Sequence, residues 1–230
     1  MEKKPLIAIT MGDPAGVGPE IIAKIFDTGE IFPHCLPVVV GDAGVMKKII
    51  EQLNFSVTVH GIAAPGDADP VRGRMDVIDM KNVDIAKHAW GRPNIASGRA
   101  VVEYIKKAAK LAMDHDVDAV VTAPINKEMM NAAGHDYSGH TELFADLTGT
   151  KEFGMMFVGG GLRLILATTH LALKDVSGHI SKAGVLKTIR LAHRAAQSFG
   201  IEAPRIGVAG LNPHAGEGGL FGNEEWDEIL

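Results

Sequence analysis

Short β-rich runs alternate with helical patterns along this chain, and the alternation limits the fold more than any other feature. "PLIAIT", "LPVVVG", "FSVTVH", "MDVID", "DAVVTAP", "GMMFVGG", "LRLILATT" and "RIGVAG" read as strands. Several are apolar throughout rather than alternating, as strands buried on both faces are. Between them, "PEIIAKIF", "AGVMKKIIEQL", "SGRAVVEYIKKAAKLAMDH", "HTELFADLTG" and "SKAGVLKTIRLAHRAAQSFG" carry helical spacing. Ser97 opens the longest of these as an N-cap, and Gly200 closes another as a C′ residue. The pattern predicts an α/β fold with a largely parallel sheet. Ligands of such sheets bind beyond the carboxyl ends of the strands, so the strand-end turns are the places to search.

The 230 residues suffice for one large domain or two small ones. Net charge is −5 and no basic run stands out, which argues against nucleic acid or an anionic membrane as a partner. A single cysteine, Cys35, allows no internal disulfide and suits a reducing compartment. The start "MEKKPLIAIT" is charged, but its apolar run is too short for a signal peptide, and no stretch reaches transmembrane length. The expectation is a soluble, cytoplasmic protein. Residues 61–74 form a turn-rich loop, as does "KHAWGRPNIASG". The chain ends at "NEEWDEIL", which reads as the first turns of a helix without a stop signal, so a longer parent protein is expected.

Five strand-end segments carry chemistry. "MGDPAGVGPE" follows a strand and opens a helix, but Ile21 stands where a dinucleotide fingerprint needs glycine, and no Gly-Lys-Ser/Thr follows. It reads as a tight strand-to-helix turn with Pro19 in the first helical turn, or as a turn that aims Asp13 at a ligand. "TAPINKE" puts Lys127 at a helix start, where cations are disfavoured unless an anion joins them; a solvated lysine is the plainer alternative. "SGHTE" puts His140 and Thr141 at another helix start, suited to an anion, although Thr141 would serve equally as a cap. "ATTHLALKDV" and "LNPHAGEGGLFG" place His170 and His214 after apolar runs, the second beside Asn212 and Glu217. Two such imidazoles could share a metal, or each could be a hydrogen-bonded structural histidine. The remaining histidines have no such context, and the ten methionines read as core.

Taken together and in order, "MGDPAGVGPEI", "TAPINKE", "GHTE", "TTHLAL" and "LNPHAGEGGLFG" make the chain resemble the 4-hydroxythreonine-4-phosphate dehydrogenase (PdxA) family of vitamin B6 biosynthesis, from Thr10 to Glu225. A branch that oxidises D-threonate 4-phosphate is equally similar. The resemblance implies an isocitrate/isopropylmalate dehydrogenase-like fold, with two subdomains and a cleft. On that reading, residues 1–127 form the first subdomain and 128–230 a second, incomplete, interface-forming one. It further implies a homodimer with a shared active site, NAD as oxidant, decarboxylation of the product, and a divalent cation (Zn, Mg or Co) on three histidines. His170 and His214 match two of those histidines, and His140 and Thr141 match the pair that binds the small phosphorylated substrate. The third metal histidine, a later substrate lysine and most cofactor contacts lie downstream in the family, so this stretch alone is expected to be inactive. No catalytic acid or base and no cofactor-binding residue is assigned. The competing readings are a truncated, inactive binding protein of the same family and a metal-dependent phosphatase or aldolase. The lack of a dense Asp/Glu cluster counts against the phosphatase.

Overall fold

The computed structural model describes residues 4–69 and 71–229. The first three residues of the charged start, Pro70 of the 61–74 loop, and Leu230 lie outside the described residues. The chain forms two compact units, Met1–Gly149 and Thr150–Leu230.

The first unit contains strands β1 (Leu6–Thr10), β2 (Leu36–Gly41), β3 (Thr58–Ile62), β4 (Arg74–Asp79) and β5 (Ala119–Thr122). Its helices are α1 (Gly18–Thr28), α2 (Ala43–Leu53), α3 (Ile95–Met113), α4 (Lys127–Ala132) and α5 (His140–Thr148). The sheet has the order β3-β4-β2-β1-β5 and every pairing is parallel. β1 is an interior strand, with Ile9 opposite Val39 on one side and Val121 on the other. The apolar runs explain this placement. Ala8, Val38, Val39, Val40, Met75 and Val77 are fully buried, as strands covered on both faces must be.

The helices are fixed by identifiable end signals. Pro19 lies in the first turn of α1. Asp42 caps α2 by accepting from the backbone N–H of Gly44 and Val45. At α3 the expected cap moves. Asn94, not Ser97, is the N-cap, because its backbone is extended while Ile95 is already helical. Asn94 Oδ1 accepts from Ser97 N–H and Ser97 Oγ accepts from Asn94 N–H, a reciprocal capping box with serine in the third position.

The boundary between units also differs from the expected break at Lys127. α4 and α5 are joined to α3 through a buried cluster of Val101, Val102, Ile105, Met130 and Leu143. Gly98 of α3 lies so close to α4 that a Cβ there would fall 2.1 Å from the Met129 carbonyl oxygen. Helices sharing a core with α3 belong to its unit, so residues 128–149 stay with the first.

The second unit holds β6 (Met156–Gly159), β7 (Leu162–Ile165) and α6 (Lys182–Ser198). Ser181 caps α6 at Gly184 N–H, and Gly200 takes the left-handed conformation just past its end, as expected from sequence. The strand expectations fare less well here. β6 and β7 form an antiparallel hairpin rather than part of a parallel sheet. Phe157, Val158, Leu162 and Leu164 are exposed, whereas Met156 and Ile165 are half-buried. "RIGVAG" forms no strand. Apolar composition makes a segment compatible with a sheet, but a strand needs a ladder neighbour, and residues 205–210 have none among the described residues.

Gly98→Ala tests the helix packing of the first unit. The methyl group meets backbone rather than a movable side chain, so the variant should lose about 1–3 kcal/mol or more. Urea unfolding, followed together with hydrogen exchange of α4, should show both a lower midpoint and faster exchange there. An unchanged midpoint would refute the close approach.

Candidate active site

The sheet order decides where the first unit can hold a ligand. The chain winds from β1 outward through β2 to β3 and β4, then crosses to β5 on the far side of β1. The switch point therefore lies at the carboxyl ends of β1 and β5, where α/β sheets bind ligands. "MGDPAGVGPE" and "TAPINKE" are the two turns that leave these ends. They are knitted together, with Asp13 N–H donating to the Pro124 carbonyl at 3.0 Å. A Cβ on Gly12, which has φ +73°, would fall 2.4 Å from that same oxygen. Asp13 is buried, and its Oδ1 accepts from Ala15 N–H at 2.9 Å. The tight-turn reading of this segment therefore has direct support, and one Asp13 oxygen is committed to the turn.

Beyond this junction, α4 begins at Lys127 behind the Asn126 cap, and α5 begins at His140 behind Gly139. No side chain caps α5, so its first backbone N–H groups are free to meet an anion. Thr141 lies inside the helix and does not cap it. The Lys127 ammonium approaches this end: a Cβ built on Gly139 would lie 3.7 Å from Lys127 Nζ and the same distance from Glu142 Oε2. The Lys127 ammonium makes no ion pair or hydrogen bond among the described residues. His140 Nε2 is buried without a partner. Burial, and secondarily the Lys127 charge, push the His140 imidazole below its ordinary value, which favours the neutral ring. A buried polar atom without a partner, next to an unpaired cation and an uncapped helix start, suits an anionic group such as a phosphate.

In the second unit His170 follows β7 on an exposed bend, at φ +58°. His214 lies on a backbone feature that the sequence did not announce. Residues 214–218 all have left-handed dihedrals, from φ 55° at His214 to φ 67° at Gly218. Glycine accepts this conformation freely, but His214, Ala215 and Glu217 each forgo roughly 1–2 kcal/mol in it. Such strain persists only where neighbours over-determine the backbone. Glu225 supplies much of that determination. Its carboxylate is buried and accepts from the backbone N–H of Leu211 and Asn212, and from Asn212 Nδ2. The Asn212 backbone bond leads the effects that hold this carboxyl below its ordinary value. Within the turn, His214 Nδ1 meets Glu217 Oε2 at 2.6 Å, and the ring packs edge-on near Phe221. The expected setting after buried strands is not found for either histidine, since β7 is largely exposed and residues 205–210 form no strand. Among the described residues no group of three or more His, Cys, Asp or Glu converges as a metal site.

A family model, Pyridoxal phosphate biosynthetic protein PdxA, matches residues 33–230. The chain belongs to the PdxA family. A protein of Desulforapulum autotrophicum named 4-hydroxythreonine-4-phosphate dehydrogenase is 42% identical over 99% of this chain and 67% of its own length. A protein of Symbiobacterium thermophilum, provisionally named D-threonate 4-phosphate dehydrogenase, is also 42% identical, over 100% of this chain and 68% of its own. The crystal structure of 4-hydroxythreonine-4-phosphate dehydrogenase from Klebsiella pneumoniae superposes with a TM-score of 0.92 at 37% identity, covering 98% of this chain and 70% of that one. The chain thus spans about two thirds of the length of these PdxA relatives. The fold that sequence alternation suggested is, in its α/β character and parallel central sheet, that of the family's known structures.

Sequence reasoning singled out His140, Thr141 and Lys127, and the structure brings Lys127 to the α5 start beside His140. It missed Glu225, whose partners are backbone N–H groups that leave no mark on a single sequence. It also passed over His88, whose Nε2 lies 2.8 Å from the Pro14 carbonyl and whose own carbonyl accepts from Lys48 Nζ. His88 thereby ties a long loop to the PdxA turn at β1.

The depressed His140 value has a sign that can be checked. A histidine that resists protonation in the fold contributes stability above its unfolded value of about 6.5. That contribution is lost as pH falls from there toward the folded midpoint. An NMR titration should place the His140 midpoint below the ordinary value, and Lys127→Ala should move it upward by removing the neighbouring charge. A Lys127→Ala midpoint that stays put would show that Lys127 does not face this ring.

Proposed function

We propose that the protein is a metal-dependent NAD oxidoreductase acting on a phosphorylated four-carbon hydroxy acid, 4-hydroxythreonine 4-phosphate or D-threonate 4-phosphate, with decarboxylation. The observation that carries this reading is the convergence at the start of α5 of free backbone N–H groups, the unpaired Lys127 and the unpartnered His140 Nε2. The names of the two 42% identical relatives supply the substrate class. The isocitrate dehydrogenase-like architecture, the homodimer with a shared active site and the cytoplasmic location belong to the same proposal.

His140 and Thr141, with the α5 backbone, would hold the phosphate end of the substrate. Lys127 would neutralise part of its charge. Binding energy gained at this unreactive end positions the reacting carbon, which is how remote contacts contribute to catalysis. His170 and His214 would hold the divalent cation. The donor chemistry fits a transition metal, since imidazole nitrogen suits zinc or cobalt better than magnesium. This chain provides two such imidazoles, and the remaining coordination positions fall to the substrate and to other ligands. When bound, the cation would act as a Lewis acid on the hydroxyl and carboxylate oxygens, lowering the alcohol's pKa and favouring loss of CO₂. NAD would accept the hydride; no residue of this chain is assigned to it.

Two measurements test the reading. NADH formation by the protein made from its native gene, supplied with zinc or cobalt, should occur with one of the two phosphorylated acids and not with its dephosphorylated form. Thr141→Ala removes a hydroxyl donor to a charged oxygen, so KM for the phosphorylated substrate should rise roughly 10- to 100-fold. Unchanged kinetics would remove Thr141 from the binding site.

Chelation provides a separate check on the cation. Removing metal by dialysis against a chelator should abolish turnover, and added zinc or cobalt should restore it. His170→Ala and His214→Ala should each lower metal retention. Full occupancy in the doubly substituted protein would overturn the assignment of both histidines.

A further inference from the structure

The left-handed turn at 214–218 places a carboxylate against a histidine with no extended structure to support either. His214 and Glu217 are largely exposed, with side-chain exposures of 73% and 51%. An exposed pair on an ordinary loop would form only part of the time, because two mobile side chains must be held at once. Here the backbone removes much of that freedom. Five successive residues share one handedness, and the turn is closed by Phe221 N–H on the Gly216 carbonyl at 3.1 Å and by Ala215 N–H on the Asn212 carbonyl at 3.2 Å. Gly216 is buried at its centre, where a Cβ would fall 2.7 Å from the Gly222 carbonyl oxygen. The base of the turn is clamped by the buried Glu225 carboxylate on the backbone of Leu211 and Asn212. Residues three apart in such a turn present their side chains together, and the result is the 2.6 Å contact between His214 Nδ1 and Glu217 Oε2.

A carboxylate oxygen can only accept, so the hydrogen on a neutral His214 lies on Nδ1 when this contact forms. Nε2 then carries the lone pair. The Nε2 atom makes no hydrogen bond among the described residues. We propose that Glu217 is a positioning residue that fixes the Nδ1–H tautomer of His214 and presents Nε2 as the donor atom to a divalent transition-metal cation. This rests on the reading of His214 as a metal ligand given above. A carboxylate behind a ligating imidazole fixes the ring's tautomer and orientation and raises its basicity. In this turn the strained backbone and the Glu225 clamp prepare that arrangement before any metal arrives.

The experiment has two readouts on the full chain, without metal and with Zn(II). Long-range proton–nitrogen NMR correlation of the metal-free protein at about pH 8, above the ordinary imidazole value, reports which ring nitrogen of His214 carries hydrogen. The unmodified protein should show Nδ1–H only. Glu217→Ala should shift the ring toward Nε2–H, the form the free side chain favours. It should also weaken Zn(II) binding 10- to 100-fold in a competition titration. Glu217→Gln keeps an acceptor oxygen and should rescue much of both effects, which a purely structural role for the side chain would not produce. Thermal unfolding of each variant separates loss of the fold from loss of the contact. His214→Ala run in parallel keeps the two claims apart. If His214→Ala loses Zn(II) while Glu217→Ala binds it like the unmodified protein, the role of Glu217 is overturned and the metal reading stands. If His214→Ala binds Zn(II) undiminished, the metal reading falls and this proposal with it. An Nε2–H tautomer in the unmodified protein would also overturn it.

Discussion

β1 pairs in parallel with β2 on one side and β5 on the other, and this double ladder organises the first unit. A strand hydrogen-bonded on both edges and covered on both faces must be apolar, and the turns leaving its end and its neighbour's end are forced side by side. From that follow the contact between Asp13 and Pro124 and the backbone crowding at Gly12. The start of α4 at Lys127, a few residues past β5, follows as well. The α3 helix then adds a second constraint by drawing in α4 and α5 through Gly98 and the Val101–Leu143 cluster. The start of α5 is thus held in place by packing that lies outside the candidate site itself.

How well the sequence could be read depended on whether a segment's partners lie close to it in the chain. α2 was legible to the residue, because its apolar spacing and the capping Asp42 are local signals. The α3 start was displaced by three residues, because Ser97 and Asn94 both carry cap chemistry and only the backbone conformation decides between them. The 205–210 run illustrates the opposite case. "RIGVAG" has the composition of a buried strand, yet composition cannot supply a neighbour, and none is present among the described residues. Likewise the end of the first unit at Gly149 left no local signal in the sequence. The cluster that assigns α4 and α5 to the first unit joins residues about thirty to forty apart, the range at which single-sequence signals fade.

The candidate site residues divide along the same line. His140 and Lys127 could be found because helix starts have a recognisable grammar of glycine, cap and anion affinity. His214 could be found by its place in a glycine-rich motif, but the left-handed winding of five successive residues there left no mark in the sequence beyond the glycines. The two histidines are therefore held by opposite means. His140 is held by burial that leaves a nitrogen without a partner. His214 is held at the surface by a strained turn and a carboxylate.

The exposed hairpin of the second unit has a different kind of consequence. β6 and β7 pair only with each other, so each has an outer edge of backbone groups with no partner strand among the described residues. Phe157, Val158 and Leu164 present apolar surface beside those edges, and Val208 does the same on the unpaired 205–210 segment. Open edges flanked by bare hydrophobic side chains are templates onto which another extended segment can grow, from any chain that offers one. The outer edges of this hairpin are thus the places in the unit where a further extended segment would find backbone partners.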